Sequence, residues 1–462
     1  MEPWDVTIVG GGILGTSIGF WLARRYAGRI AVVERETQVA VHTSHRNTGV
    51  IHRPFYLDPV KRRVFARSSQ AAYGMWKTYA ADRGLPWTPV STLEVATSEA
   101  QVSVLETYHK WGQENGMAPA ELSVLSPEEV REVEPHVDCH GAIWSRTDTA
   151  VDYRAFTESL RGDAERAGAA FLTGHEVVSI DVEDDHLAVH VRRRGIPGAV
   201  GVDPRGRIPP TSPAAQATIR ARFLVNCAGG NAVDIAHMLG VGREYADLHF
   251  RGEYWTVDPR MAFLARRNIY RVARRPELPF LDPHWIVRTD GRREIGPNAV
   301  PVTGPLTYRG FFDDAADPIK KLLEPPVANK VAVLVNPDFL SLAAAEWASS
   351  LSKRMMARRV REFLPELRVS HLVSPGTAGV RASCIDRHGN FMKEAIELDG
   401  PHSHHILNYN SPGATGAPAY SAWMVANLAS RGFLDHLTPK AARLDGPWDF
   451  DSVTAAVATP AS

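Results

Sequence analysis

The chain opens on an apolar run, VTIV at residues 6–9, which breaks at three glycines and resumes with helical spacing. A second apolar run, IAVVE, closes on Glu34. Strand, glycine turn, helix and acid-terminated strand predict the opening of a Rossmann-like α/β sheet. Farther along, helical periodicity covers Val60 to Arg83, Glu99 to Gly116, Pro127 to Glu134 and Tyr153 to Gly168. The third of these opens with Ser126 as cap and Glu129 as its capping-box partner. Strand-like runs follow at Gly174 to Val182 and His186 to Arg192, then a buried-type strand, FLVNCAGG, at Phe223 to Gly230. Between them Arg193 to Ala217, rich in Pro, Gly and Arg, reads as a hairpin tip or surface loop. An apolar helical run fills Ala417 to Phe433.

The opening glycines carry the first chemistry. Gly10 permits a tight turn, Gly12 a close approach of backbone to a pyrophosphate, and Gly15 and Gly19 the packing of helix on strand. Ile13 and Leu14 begin the helix inside this run, so free N–H groups and the positive dipole end face the phosphates. Glu34, about 20 residues on, suits ribose hydroxyls, and its charge argues against a 2′-phosphate. Arg35 follows it. This segment alone names a dinucleotide and leaves nicotinamide and flavin both open.

Composition narrows the rest. The 462 residues suffice for two domains or one large discontinuous one, and the formal charge of zero gives no sign of a nucleic-acid partner. Cys139, Cys227 and Cys384 lack metal-ligand spacing, so no metal site is expected, and they read as reduced thiols. Cys227 lies in an apolar strand and reads as packed. With no leader sequence or membrane-length apolar run in view, the expected location is cytoplasmic.

A series of motifs in fixed order then extends the reading. They are SHRNTGVIH at Ser44 to His52, EPHV at Glu134, VDYRAF at Val151, VNCAGG at Val225, FRGEYW at Phe250, GPNAV at Gly296, SLSKR at Ser350 and GVRASCIDRHGN at Gly379. Together they resemble the glutathione-reductase-like flavoproteins of the D-amino-acid-oxidase superfamily, and within it the L-2-hydroxyglutarate dehydrogenases and oxidases. The resemblance implies FAD, bound without a covalent link, with attachment through His45 as the lesser alternative. It also implies a Rossmann-like FAD domain gathering residues 1–85, 150–243 and 366–445. A discontinuous α+β substrate domain on a mainly antiparallel sheet takes 86–149 and 244–365, leaving 446–462 as a tail, and the flavin ring lies where the two domains meet.

The same resemblance distributes roles. Thr43, Ser44, His45, Arg46, Asn47, Thr48, Gly49 and Val50 would run beside the flavin, with Arg46 and Asn47 on pyrophosphate or ring edges. Val177, Cys227, Ala228 and Gly229 would pass the cofactor on the other side. The small-residue loop Ser411, Pro412, Gly413, Ala414, Thr415 and Gly416 would turn backbone N–H groups and a helix end toward the flavin N1 and O2 edge, where charge accumulates on reduction.

His284, in FLDPHWIV, matches in position a substrate-facing histidine of the hydroxyglutarate enzymes and is the candidate base, with His52 second. Arg381 is the candidate for a substrate carboxylate, through two parallel hydrogen bonds, and also borders the flavin. Tyr254 and Arg251 could line the opposite wall.

The expected reaction is oxidation of the CH–OH of a small 2-hydroxy acid to the 2-oxo acid. A CH–NH oxidase of amino acids or secondary amines, and a flavin-binding subunit without turnover, remain as alternatives. The electron acceptor could be oxygen, a quinone or another carrier, and the oligomeric state is open. The DP and Trp beside His284, and Arg53 and Pro54 in HRPFYLDP, depart from the family pattern. Arg53 either supplies a cation for a second carboxylate or fills the pocket. Residues 325–342 also diverge where relatives vary and sometimes touch a membrane peripherally, and read here as a buried strand or helix.

Overall fold

The computed structural model describes residues 2–195, 216–274, 282–310, 326–441 and 446–459. The chain divides into two compact units, one of residues 1–45, 153–245 and 394–458, the other of 46–152, 246–393 and 459–462. Residues 46–85 and 366–393, grouped with the first unit on sequence grounds, therefore belong to the second, whereas most of the supposed tail belongs to the first.

The first unit is built on an eight-stranded sheet. Ala169–Thr173, Ile30–Glu34, Trp4–Val9 and Gln216–Asn226 lie side by side and parallel. The long Gln216–Asn226 strand is shared: its first half pairs antiparallel with Leu187–Arg193, and its last residues pair parallel with Ser403–Leu407. Helix Ile13–Arg25 packs against helices Tyr153–Ala167 and Gly413–Ser430. Its buried Phe20 and Trp21 meet Trp448 and Phe450 edge-on or tilted, which secures the last helix, Phe450–Ala458.

The second unit carries a nine-stranded, mainly antiparallel sheet. Its central strands alternate strictly. Leu93, Ile269, Trp285 and Ile295 point to one face and join Met356, Ala357, Val360, Phe363, Leu364 and Leu367 in an apolar core. The intervening residues point to the other face. At the far end of that face Ile143 packs with Phe55, Leu105 and Met117.

Most periodic segments are where the pattern predicts. The capping box closes as read, Glu129 N–H on Ser126 Oγ at 3.2 Å and Ser126 N–H on Glu129 Oε2 at 2.7 Å. The helix predicted from Val60 begins instead at Arg63. Asp58 Oδ1 accepts the N–H groups of Val60 and Lys61, both at 2.9 Å, and holds them in a turn. The last helical run begins earlier than its apolar pattern, at Gly413.

Most of 193–217 lies outside the described residues. Within 325–342 the chain is helical, Val327–Leu334 and Pro337–Leu351, but not buried throughout: Val331, Val335 and Leu340 are exposed. Among the described residues no single helix is long and apolar enough to cross a membrane.

Candidate functional site

In the first unit, Gly10 has φ +111°, and a Cβ there would stand 2.4 Å from the Cys227 carbonyl oxygen. Only glycine lets these two strand ends approach so closely. The following helix has Gly12 as N-cap and so no side-chain acceptor of its own. Ser44 Oγ accepts the Ile13 N–H at 3.0 Å, leaving the end of the helix otherwise uncapped by side chains. Glu34 is buried, with Oε2 on the Gly11 N–H at 2.7 Å and Oε1 on the Glu36 N–H at 2.8 Å. A carboxylate has lone pairs beyond these two. This turn, helix end and oriented acid fit the adenosine diphosphate half of FAD.

The remaining cradle candidates divide. Arg35 reaches Asn231 Oδ1 at 3.1 Å. Thr43 and His45 are exposed. Val177 lies in strand His175–Val182. Cys227 is buried, which pushes its thiol up and keeps it unreactive. Ala228 and Gly229 follow it into a short turn. Ser411 and Pro412 precede helix Gly413–Ser430, which also lacks a side-chain cap. Ala414 and Gly416 lie in its first turn, and Thr415 is held by Tyr153 at 2.9 Å.

Arg46, Asn47, Thr48, Gly49 and Val50 fall in the second unit. There Arg46 donates to the Ala378 carbonyl at 3.3 Å and lies over Tyr308, while Asn47 Oδ1 accepts the Gly49 N–H at 2.7 Å. Arg288 ties this loop down, donating to the carbonyls of Asn47 and Thr48 at 2.8 and 2.6 Å while pairing with buried Glu294.

The second unit also gathers the substrate candidates, and it does so along a single line of cross-strand neighbours. Glu94 pairs with Tyr270. Ile269 opposite Trp285 sets Tyr270 beside His284, and His284 pairs with Gly296. Trp255 opposite Ile295 then sets Tyr254 beside Gly296. Five strands thus contribute one residue each to a row on the face opposite the apolar core. Gly296, at φ +140°, is the gap in it: a Cβ would come within 2.5 Å of the Glu253 carbonyl and 2.8 Å of the Tyr254 ring.

Within the row the His284 ring stacks on Tyr270 with centroids 3.9 Å apart. His284 is 4 % exposed, and among the described residues neither ring nitrogen has a hydrogen-bond partner, nor has the Tyr270 hydroxyl. Burial first, then the charges of His52, Arg359 and Arg381, hold its pKa well below the ordinary histidine value, so the ring is neutral. Burial likewise keeps the phenols of Tyr254 and Tyr270 protonated.

Arg381 stands on strand Leu372–Ile385 opposite Phe250. Burial lowers its pKa, an effect partly offset by Tyr254 and Tyr56. His52 presents its edge to Tyr270 at 5.6 Å, with Nδ1 3.2 Å from Asp148 Oδ2. Arg251 turns away to Glu253 at 2.9 Å and to the carbonyls of Thr307 and Gly310.

Arg53 resolves one open alternative. Its guanidinium pairs with Glu121 at 2.7 and 3.1 Å, donates to Thr147 and Gln70 at 2.9 Å each, and lies over Tyr73. It is a structural ion pair and fills space. Sequence reading passed over Glu94, Tyr270, Asp148 and the Arg288–Glu294 pair. The signal for Glu94 was present: one acid interrupts the apolar strand TLEV.

The fold is that of a flavin-dependent oxidoreductase, and the glycine turn, helix end and oriented acid fit its cofactor. Residues 5–428 match the FAD dependent oxidoreductase (DAO) family, and the chain belongs to it. It is therefore an enzyme that uses FAD; no comparison points to a covalent link at His45. Similar proteins include a mitochondrial L-2-hydroxyglutarate dehydrogenase of Mus musculus, 29% identical over 92% of this chain and 88% of that protein. The L-2-hydroxyglutarate dehydrogenase of Salmonella houtenae is also 29% identical, over 92% and 93%. Among solved structures, the FAD-bound L-alpha-glycerophosphate oxidase of Mycoplasma pneumoniae superposes with a TM-score of 0.68 over 97% of this chain and 98% of that one, at 21% identity. That likeness concerns the fold.

Proposed function

We propose that the enzyme oxidises the CH–OH of a small 2-hydroxy acid, L-2-hydroxyglutarate or a near analogue, to the 2-oxo acid. The observation that carries this is His284, a neutral buried imidazole in a row with tyrosines, whose two nitrogens have no partner among the described residues. An alcohol must give up its hydroxyl proton as its carbon is oxidised, and a neutral imidazole accepts one. FAD supplies the acceptor for the two electrons and the hydrogen leaving that carbon.

The residues divide the remaining work. Arg381 holds the substrate carboxylate through two parallel hydrogen bonds and so fixes the carbon that reacts. The incoming carboxylate also offsets the positive charge that depresses His284, so substrate binding itself strengthens the base. Tyr254 and Tyr270 close the wall with neutral phenols and exclude water. His52, oriented by Asp148, is the alternative base.

Anaerobic mixing of the holoenzyme with a panel of L-2-hydroxy acids and amino acids tests the reading. Bleaching of the flavin band near about 450 nm, a property of the cofactor, is expected with a hydroxy acid. Bleaching by amines alone overturns it, and bleaching by neither favours a subunit without turnover. Repeating the assay with oxygen, a quinone analogue or a dye identifies the electron acceptor. The three cysteines are free thiols, in keeping with the proposed cytoplasmic setting.

A further inference from the structure

Glu94 is the charged member of the row, two strands from His284 with Tyr270 between them. Leu93 and Val95 on either side of it point into the apolar core, which fixes Glu94 on the opposite face. Its carboxyl forms no hydrogen bond or ion pair among the described residues, yet it keeps some accessible surface. The titratable groups facing it are Asp148 from the Ser145–Thr149 turn, Tyr56, Tyr108 on helix Val102–Glu114, and Tyr270. His52 stands behind Asp148. Among the described residues no cation is one of the groups facing it.

Asp148 already accepts hydrogen bonds from Ser145, Thr92, His52 and the Arg53 N–H. Burial, with Asp148 nearby, raises the Glu94 carboxyl to about 8. At neutral pH it is therefore an uncharged O–H donor, a group that can sit against an anion without repelling it.

Length decides what lies along the row. Side chains stand roughly perpendicular to a sheet and strands lie about 4.8 Å apart, so His284 and Glu94 act about 10 Å apart. In a five-carbon 2-hydroxy diacid, C2 and the far carboxyl carbon are about 4 Å apart. The C–O bonds and a hydrogen bond of about 2.8 Å at each end, set at an angle to the carbon chain, cover the remaining distance. A two- or three-carbon hydroxy acid leaves Glu94 without a partner.

We infer that Glu94, as a protonated carboxyl, selects the substrate by donating a hydrogen bond to the terminal carboxylate of a 2-hydroxy diacid whose hydroxyl lies at His284. This inference rests on the 2-hydroxy acid reading above. Ionised Glu94 repels that carboxylate and no longer donates to it. Diacid binding is thus strong below the Glu94 pKa and is lost above it, while a monoacid with an apolar tail is indifferent.

The test uses the holoenzyme and two readouts. One is kcat/KM for L-2-hydroxyglutarate and for L-2-hydroxybutyrate between about pH 6 and about pH 10. The other is the thermal-midpoint shift given by glutarate, which cannot be oxidised at C2, over the same range. The diacid-to-monoacid ratio and the glutarate shift should both fall above about pH 8, the ratio approaching tenfold per pH unit. Glu94→Gln keeps a donor that does not titrate, and should retain the neutral-pH preference within a few-fold while abolishing the alkaline fall.

Glu94→Leu should lose the preference by about 10- to 100-fold with the monoacid unaffected. An alkaline fall that persists in Glu94→Gln, or a preference that survives in Glu94→Leu, overturns the inference while leaving the 2-hydroxy acid reading intact. Failure of every 2-hydroxy acid to reduce the wild-type flavin overturns both.

Discussion

Replacing His284 by phenylalanine separates its catalytic value from its structural cost. A phenyl ring can keep the stack on Tyr270, whose centroid lies 3.9 Å away, while removing both unpartnered nitrogens. A buried polar atom left unsatisfied costs about 1–3 kcal/mol. The two nitrogens share one ring, so His284→Phe should gain roughly 1–3 kcal/mol in total rather than the full sum. In a unit of this size that corresponds to a rise in thermal midpoint of roughly 2–10 °C.

Loss of the proposed base should at the same time slow flavin reduction by about 10²- to 10⁴-fold. Acid adds an independent signature. Because the folded-state pKa of His284 lies well below 6.5, the unfolded chain takes up a proton below pH 6.5 that the folded chain refuses. Wild-type stability therefore falls with decreasing pH from 6.5 by about 1.4 kcal/mol per unit from this group, until the folded-state pKa is reached. His284→Phe lacks that component.

Melting curves of the holoenzyme from neutral to acid pH, with anaerobic stopped-flow traces, read all three effects. A variant that melts lower than wild type, or shows the same acid dependence, refutes the structural reasoning. One that reduces its flavin at the wild-type rate refutes the base assignment and moves it to His52.

Three further outcomes follow from the same contacts. Arg381→Lys, which loses the planar fork, should raise KM for 2-hydroxy acids about 10- to 100-fold with a smaller change in kcat, measured by steady-state kinetics. Arg53→Ala should destabilise by about 1–3 kcal/mol through loss of a buried, multiply hydrogen-bonded side chain, Glu121 being part-exposed and still accepting the Ala118 N–H, yet leave KM within about threefold; a large KM effect would return Arg53 to the substrate. Gly296→Ala must accommodate a Cβ against the Glu253 carbonyl at φ +140°, costing about 1–3 kcal/mol, and should lower kcat/KM by displacing Tyr254. Wild-type melting and kinetics in that variant would show that the row tolerates movement at its centre.

The cofactor half of the molecule was legible in the sequence because its chemistry is local. Gly10 to Glu34 carries turn, helix start and acid within one βαβ unit, and the spacing itself reports the geometry. The substrate half was legible only in part. His284 and Arg381 came from resemblance, and Tyr254 from its motif, but nothing in sequence spacing says that Glu94, Tyr270 and His284 are neighbours. That adjacency arises from a parallel pairing between residues 92–95 and 268–271, far apart in the chain.

Arg53 shows the opposite limit. A cation beside candidate site residues looked available until the fold delivered Glu121, Thr147 and Gln70 to it. The helix start at Arg63 shows a third limit, since apolar periodicity cannot see that Asp58 captures two N–H groups in a turn.

The row of one residue per strand has a consequence for how such an enzyme changes its diet. Strand spacing is nearly constant, so the sheet acts as a ruler graduated in steps of about 4.8 Å. A polar group moved from one strand to the next along the row would retune the length of substrate accepted by about four carbon atoms, with the proposed base and carboxylate clamp untouched. Because the opposite face of each strand is committed to the apolar core, such exchanges leave that core in place. New substrates are then reached by single substitutions at graduated positions, of which 94 and 270 are the first two beyond His284.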